Sequence, residues 1–403
     1  MNVLLKKVTG LALMAAVGVT GAMAQAKPLK LWVYDKTRID VLTQIGKDFE
    51  AKYKIPVEVS MVDLGQIKSQ FALATGGADA ADLAIIPHDN LGPLVENSAV
   101  LEVKLGNKAS NYLQPAIDGF KYNGKLYGLP LSVENIGFFR NTDLVPKAPA
   151  TWDEMIAIGK KLMAEGKVSQ IMGFPDTGYN IFPIYTSFGG AIFGKKADGS
   201  LDPNNVQLAN EGMVKGLSLV VQMIKDKQAP GTIDWDGAHV LFESGKAPFI
   251  STGPWAIDRF KKSGVHYAIS AFPAATKGGK AGAPFLGVQG LIVSSASKQA
   301  ALAMAFATEF LASEKYMNLL YKADTRPSAW KSVNAMANDA DAKGFAAAGV
   351  AAIPMPSIPA MGYVWDAWTS AASLAISGEK TPADALAAGK KQVDTQVAAA
   401  AKK

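Results

Sequence analysis

Asp35, Asp89 and Glu134, and a set of tryptophans beside Gly, Pro or Asp, are the side chains here with chemistry to offer. Carboxylates, with Lys36 next to Asp35, can hold hydroxyl groups through charge-assisted hydrogen bonds. Indole faces offer large flat area at low entropic cost and suit the C–H side of a ring. Those are the two surfaces a carbohydrate presents. Trp255 follows Thr252-Gly253-Pro254, and Trp235 lies between Asp234 and Asp236. Tyr363-Val364-Trp365-Asp366-Ala367-Trp368 brings three aromatics into one helical stretch. Each has a blander use. An isolated Trp is more often core than platform, and Trp365 and Trp368 share a helix face, so one can be wholly structural. Asp35-Lys36 can be a solvated turn. Glu134 is the hardest to dismiss, because it stands in the mostly apolar run 129–139, where a charge demands a partner.

Other chemistries find little support. The chain has no cysteine, which removes disulfides, thiolate nucleophiles and Cys-ligated metals. Its three histidines (His88, His239, His266) are far apart, so no histidine metal centre is expected. There is no G-x-S-x-G. Gly189 to Lys196 nearly spells a phosphate loop, but Lys196 stands where a Ser or Thr must hold Mg²⁺, so an ordinary turn is expected. Paired carboxylates of the glycosidase kind remain open on sequence alone, with Asp35, Asp89 and Glu134 as possible members. No cofactor and no metal is expected.

The elements that must position these residues alternate. Strands are predicted at 29–34, 57–62 and 82–86, separated by helices, one with Val41, Ile45 and Phe49 on one face and one around 67–75 that Gly76-Gly77 stops. Such alternation implies an open α/β sheet whose ligands bind beyond the carboxyl ends of the strands. Asp35-Lys36 and His88-Asp89-Asn90 both fall there. Tyr122 to Tyr127 is a hairpin with Asn123-Gly124 at its turn. Thr151 caps a helix, and Glu154 completes a capping box. The extended runs 129–139 and 285–293 are candidate crossings between two lobes, and helices at 300–311, 314–321, 363–376 and from Thr381-Pro382 close the chain.

At the start, Lys6-Lys7, the uncharged run 8–24 and Ala22-Met23-Ala24 have the form of a signal peptide cleaved near Ala24. The run is about 17 residues long and weakly apolar, at the bottom of the range for a membrane span. The remaining chain is too long for one core and fits two lobes. The lysines are scattered rather than gathered in a stripe, so nucleic acid is not an expected partner.

Several stretches together resemble a known family. These are Ala74-Thr75-Gly76-Gly77 leading to His88-Asp89, residues 122–152 with Pro130-Leu131-Ser132-Val133-Glu134 and Thr151-Trp152-Asp153-Glu154, residues 242–256 ending Gly253-Pro254-Trp255-Ala256, and Met355-Pro356-Ser357-Ile358-Pro359 before Trp365. They resemble the maltose/maltodextrin-binding proteins of bacterial ABC importers, over residues 30–391. The resemblance implies an α/β, two-lobed periplasmic-binding-protein fold, each lobe an open sheet flanked by helices, with a hinged cleft that closes on sugar. Its lobes would be 25–133 plus 288–328 and 134–287 plus 329–403. It implies ligand contacts at Asp35, Lys36, Asp89, Glu134, Tyr179, Trp255, Met355 and Trp365, with Tyr179, Trp255 and Trp365 stacking on sugar faces. An exported, periplasmic monomer serving an inner-membrane ABC permease is the expectation, and not an enzyme. Four positions depart from the maltose pattern. Ile86 stands for a stacking Trp, Asn90 for an Arg, and Asp366 and Thr369 for a Tyr and an Arg. Asp176 and Thr177 are both candidates for the carboxylate position before Tyr179, and Trp235 could supply a replacement surface. The alternatives are the same fold with another solute (a different oligosaccharide, a polyol, a sugar phosphate or an organic ion), or a glycan-cleaving enzyme using Asp89 or Glu134.

Overall fold

Side-chain alternation along the strands decides the layering of this protein. The computed structural model describes residues 27–73 and 80–402, and of Ala72 and Leu73 the backbone alone. The expected signal peptide and the Gly76-Gly77 stop lie outside the described residues. In chain order the elements used below begin with β1 (Leu29–Val33), α1 (Ile39–Tyr53), β2 (Val57–Met61), α2 (Leu64–Leu73) and β3 (Leu83–Pro87). Next come β4 (Leu129–Glu134), β5 (Gly137–Asn141), α3 (Trp152–Ala164), β6 (Met172–Gly173), α4 (Trp235–Glu243), β7 (Phe249–Thr252), α5 (Ile257–Ser263) and β8 (Tyr267–Ser270). β9 (Phe285–Val293), β10 (Ile353–Pro354), α6 (Met361–Ile376) and α7 (Pro382–Ala400) complete the set.

One sheet runs in the order β10-β9-β3-β1-β2, and β4 also pairs with β9. β1 is parallel to β2 and β3, whereas β9 runs antiparallel to β3 and β4. A second sheet runs β8-β5-β7-β6. In it Phe138 and Phe249 face one apolar core while their neighbours Phe139 and Ile250 face another. Both faces are therefore covered, and the period-two reversal along each strand is the cause.

The first lobe's core draws on residues from Leu29 to Leu131 and from Val288 to Val333. The second lobe's core draws on Ile136 to Phe285 and Ala348 to Val397. The chain thus changes lobe three times. Ala329, Trp330 and Val333 pack in the first core, although they lie past Ser328, because Trp330 sets its ring edge-on to Tyr112 at 5.1 Å. Two of the crossings lie side by side, since Gly287 of β9 pairs with Glu134 of β4.

Local chemistry accounts for the details. Asn123 and Gly124 both take positive φ (48° and 78°), as a tight hairpin turn needs. Thr151 Oγ1 accepts the Glu154 N–H at 3.2 Å, capping α3, and Glu154 reaches back to the N–H of Ala150 rather than that of Thr151. The helix expected at 300–311 is α-helical only to Ala305 and widens to a π form over Phe306–Leu311. Gly189 takes φ 87° in the turn that resembled a phosphate loop. Among the described residues no helix is long and apolar enough to cross a membrane, and no cluster of three acidic, His or Cys side chains could hold a metal.

Candidate functional site

The strand ends of both lobes open on one cleft of about 710 Å³. From the first lobe come Asp35 and Lys36 just after β1, Asp89 and Asn90 after β3, and Glu134 at the end of β4. From the second come Tyr179 after β6, Trp255 after β7, Met355 after β10 and Trp365 on α6. All eight residues expected from sequence line this cleft, at the carboxyl ends where open α/β sheets hold ligands.

The floor is charged and already matched. Arg326, buried in the loop after the helix Glu314–Asp324, was not foreseen. Its Nη2 binds Asp35, its Nη1 donates to Asp324 at 2.8 Å, and its Nε lies 2.8 Å from Glu134 Oε2. That last contact is an ion pair off the N–H axis, and neither atom has an aligned hydrogen bond. Arg38 joins the cluster by binding Asp324 and donating to Ser132 Oγ at 3.1 Å. Glu134 also accepts from Gln289 Nε2 at 2.8 Å, and Gln289 Oε1 accepts from the Tyr34 hydroxyl. Burial alone would raise the Asp35 carboxyl, but Arg326 and two hydrogen bonds from Thr37 hold it below the usual range. Burial likewise opposes the Arg326 cation, and Glu134, Asp324 and Asp35 outweigh it. Lys36 stands exposed at the rim.

Asp89 links the lobes. Its Oδ2 accepts from Trp365 Nε1 at 3.0 Å, and its Oδ1 from Asn90 Nδ2 at 3.1 Å. Burial pushes its carboxyl up to about 6, against the pull of the Trp365 bond. Beside it, the Val288 N–H donates to His88 Nδ1 at 3.1 Å, so Nε2 must carry the proton it shares with the Met355 carbonyl at 2.9 Å. Burial, which pushes the His88 imidazole down to about 4, agrees with this neutral form.

The opposite wall is aromatic. Trp255 neighbours Tyr179 (centroids 6.2 Å apart, 40° between planes) and Trp235 (6.1 Å, 32°). The wide turn before Trp255 depends on Gly253, because a Cβ there would lie 2.3 Å from the indole. His239 ties the two indoles together. The Trp235 carbonyl can only accept, so His239 Nδ1 donates to it at 2.7 Å. Trp255 Nε1 donates to Thr252 Oγ1 at 3.1 Å, and that hydroxyl in turn donates to His239 Nε2 at 2.9 Å. Trp365 stacks on the buried Trp368 (6.0 Å, 8°), so one of that pair is indeed structural.

The four departures separate in space. Ile86 is 1% exposed, in the middle of β3, and belongs to the first core. Asp366 and Thr369 are exposed on α6 and do not line the cleft, whereas Asn90 does. Asp176 lines the cleft and Thr177 does not. The Asp176 oxygens are taken by the N–H groups of Gly178 and Asn180 and by the Asn180 amide. Trp235 lines the cleft, as do Asn180, His239 and Arg259, which sequence reasoning did not single out. Arg259 is paired with Glu243 and Asp236.

A family model described as bacterial extracellular solute-binding protein matches residues 44–347. The chain belongs to this family. Among its relatives, this solute-binding protein is 31% identical to the galactooligosaccharide-binding protein of Bacillus subtilis (strain 168), over 91% of this chain and 89% of that one. It is 25% identical to a maltooligosaccharide ABC transporter solute-binding lipoprotein of Streptococcus pneumoniae (strain ATCC BAA-255 / R6), over 89% and 86%. Its fold matches the Thermus thermophilus maltotriose-binding protein solved with maltotriose, at a TM-score of 0.83, 28% identity, and coverage of 92% of this chain and 100% of that one. The solute-binding protein therefore has the two-lobed fold of periplasmic binding proteins.

Proposed function

We propose that this solute-binding protein captures a neutral oligosaccharide of the maltodextrin type by closure of its cleft and delivers it to an inner-membrane ABC permease. The observation that carries the reading is the pairing of a charge-matched floor with an open aromatic wall across one cleft. In the floor three carboxylates (Asp35, Glu134, Asp324) meet two guanidiniums (Arg38, Arg326), and Lys36 adds a third cation at the rim. With Arg38 and Arg326 already bound by carboxylates, and Asp89 and Asp176 adding further acid to the cleft, an uncharged ligand is favoured over an organic anion or a sugar phosphate. The proposed contacts are Asp35, Lys36, Asp89, Glu134, Tyr179, Trp255, Met355 and Trp365. Because Glu134 and Asp35 are tied to Arg326, the cleft is read as holding sugar rather than cleaving it. Export to the periplasm with cleavage near Ala24, and a monomeric state, complete the proposal.

A differently linked oligosaccharide is the second reading. It is favoured by the burial of Ile86, by the outward placement of Asp366 and Thr369, and by the galactooligosaccharide-binding relative. Thermal melting against maltotriose, a galactosyl trisaccharide, a polyol and a sugar phosphate tests both. A bound ligand raises the midpoint by mass action, with about 2.7 kcal/mol added at a concentration of 100 Kd. A rise with a trisaccharide alone supports capture of oligosaccharide. A rise with only the sugar phosphate, or release of reducing ends from maltodextrin, overturns it.

A further inference from the structure

Arg326 reaches across the cleft as well as along its floor. Its guanidinium carbon lies 5.8 Å over the indole of Trp255, in the other lobe. A pyranose ring in van der Waals contact with both groups would need a gap of about 8 Å. Arg326 cannot easily swing away, because Asp35, Glu134 and Asp324 hold it on three sides and only 4% of its side chain is exposed. The indole is fixed as well, by Gly253 against its six-membered rim and by the bond from Nε1 to Thr252.

Among the described residues no cation covers the neighbouring indole in this way. Trp235 is 39% exposed, lines the same cleft, and continues the wall at 32° to Trp255. His239 supports it from one side, with ring centroids 4.7 Å apart. We propose that Arg326 is a specificity-determining residue that occupies the cleft-facing side of Trp255 and so transfers the stacking of a ligand ring to Trp235. A delocalised, weakly hydrated cation over an indole is a favourable contact in its own right, so a sugar gains less at Trp255 than at the uncovered ring. This assignment rests on the oligosaccharide reading, and it moves the main platform one residue outward along the wall from Trp255.

The test uses the full mature chain with maltotriose and galactotriose as probes, in titration calorimetry of the wild type, Trp235→Ala and Trp255→Leu. Both substitutions leave the buried ion cluster intact. For whichever sugar the wild type binds, Trp235→Ala should weaken affinity about tenfold or more, and Trp255→Leu, which removes a lesser contact, by about threefold. A larger loss in Trp255→Leu overturns this assignment and leaves the oligosaccharide reading standing. Failure of the wild type to bind either sugar overturns that reading and this assignment with it. A sugar-free measurement checks the contact itself. Nuclear magnetic resonance of the Arg326 side-chain N–H groups should show an upfield ring-current shift that Trp255→Leu removes, and an unshifted wild-type resonance overturns the proposal.

Discussion

The first lobe meets the cleft with charges that already answer one another, and the second meets it with rings left partly open. Asp35, Glu134 and Asp324 are matched by Arg326 and Arg38, whereas Trp235, Trp255 and Tyr179 lie side by side along the cleft, with Trp235 the most exposed of them. The difference separates two tasks. A buried ion cluster is rigid and intolerant of a missing partner, which suits a floor that must not deform. Aromatic faces bind by area and tolerate adjustment, which suits a wall that has to approach and withdraw.

Removing the floor's centre should have the largest effect. Arg326→Met leaves Glu134 and Asp35 without their cation, while Asp324 keeps Arg38, and we expect a loss of about 3–5 kcal/mol in unfolding free energy, read from the midpoint of a urea titration. An unchanged midpoint would mean that the cluster is dispensable and the contrast between the lobes false.

Acidity sharpens the comparison next. Burial holds the Asp89 carboxyl at about 6, above its ordinary value, so between about pH 4 and 6 the folded chain binds a proton that the unfolded chain has released. Its contribution to stability is complete below that window and is lost as the pH climbs through it, by on the order of 3 kcal/mol. Asp35 and Asp324 behave oppositely. Both are held low in spite of burial by their arginines, so their contribution is present above the ordinary carboxylate range and disappears as the pH falls below about 4. Asp89→Asn should therefore flatten the decline toward neutral pH and leave the acid limb intact, as followed by denaturant midpoints from pH 3 to pH 8.

A smaller effect is expected at the wall. His239→Phe keeps a ring beside Trp235 but deprives the Thr252 hydroxyl of its acceptor, at a cost of about 1–3 kcal/mol. Sugar affinity should fall as well, because the two indoles lose their common support. Calorimetry on the folded variant separates that loss from the change in stability.

Much of this was legible in the chain. The alternating strands and helices, the Asn123-Gly124 turn and the Thr151 cap follow local rules, and those rules act over a few residues. Asp35, Lys36, Asp89, Glu134, Trp255 and Trp365 were candidates on residue type and place, Tyr179 and Met355 came only through the resemblance, and no periodicity says that Trp365 will meet Asp89. Arg326 escaped because two of its acids, Asp35 and Glu134, lie far away in sequence, and the third, Asp324 two residues before it, reads as part of an ordinary solvated turn. The available hint was Glu134, whose place in an apolar run called for a cation, together with Gln289 in the partner strand. Ile86 reads as a missing platform in the linear pattern, yet it is a filled core position in space. The His239 link between Trp235 and Trp255 depends on two elements meeting, and no spacing rule expresses that.

The strand Phe285–Val293 carries one further consequence. Phe285 is embedded in one lobe and Val288 in the other, and Gly287 between them lies against Glu134. When two arms turn about an axle, their tips sweep far while points on the axle stay almost still. Glu134 is set on that axle and Trp235 out along an arm. An arriving molecule would accordingly find its acidic anchor in the same place whether the jaws are apart or together, and be wrapped by the indoles only afterwards.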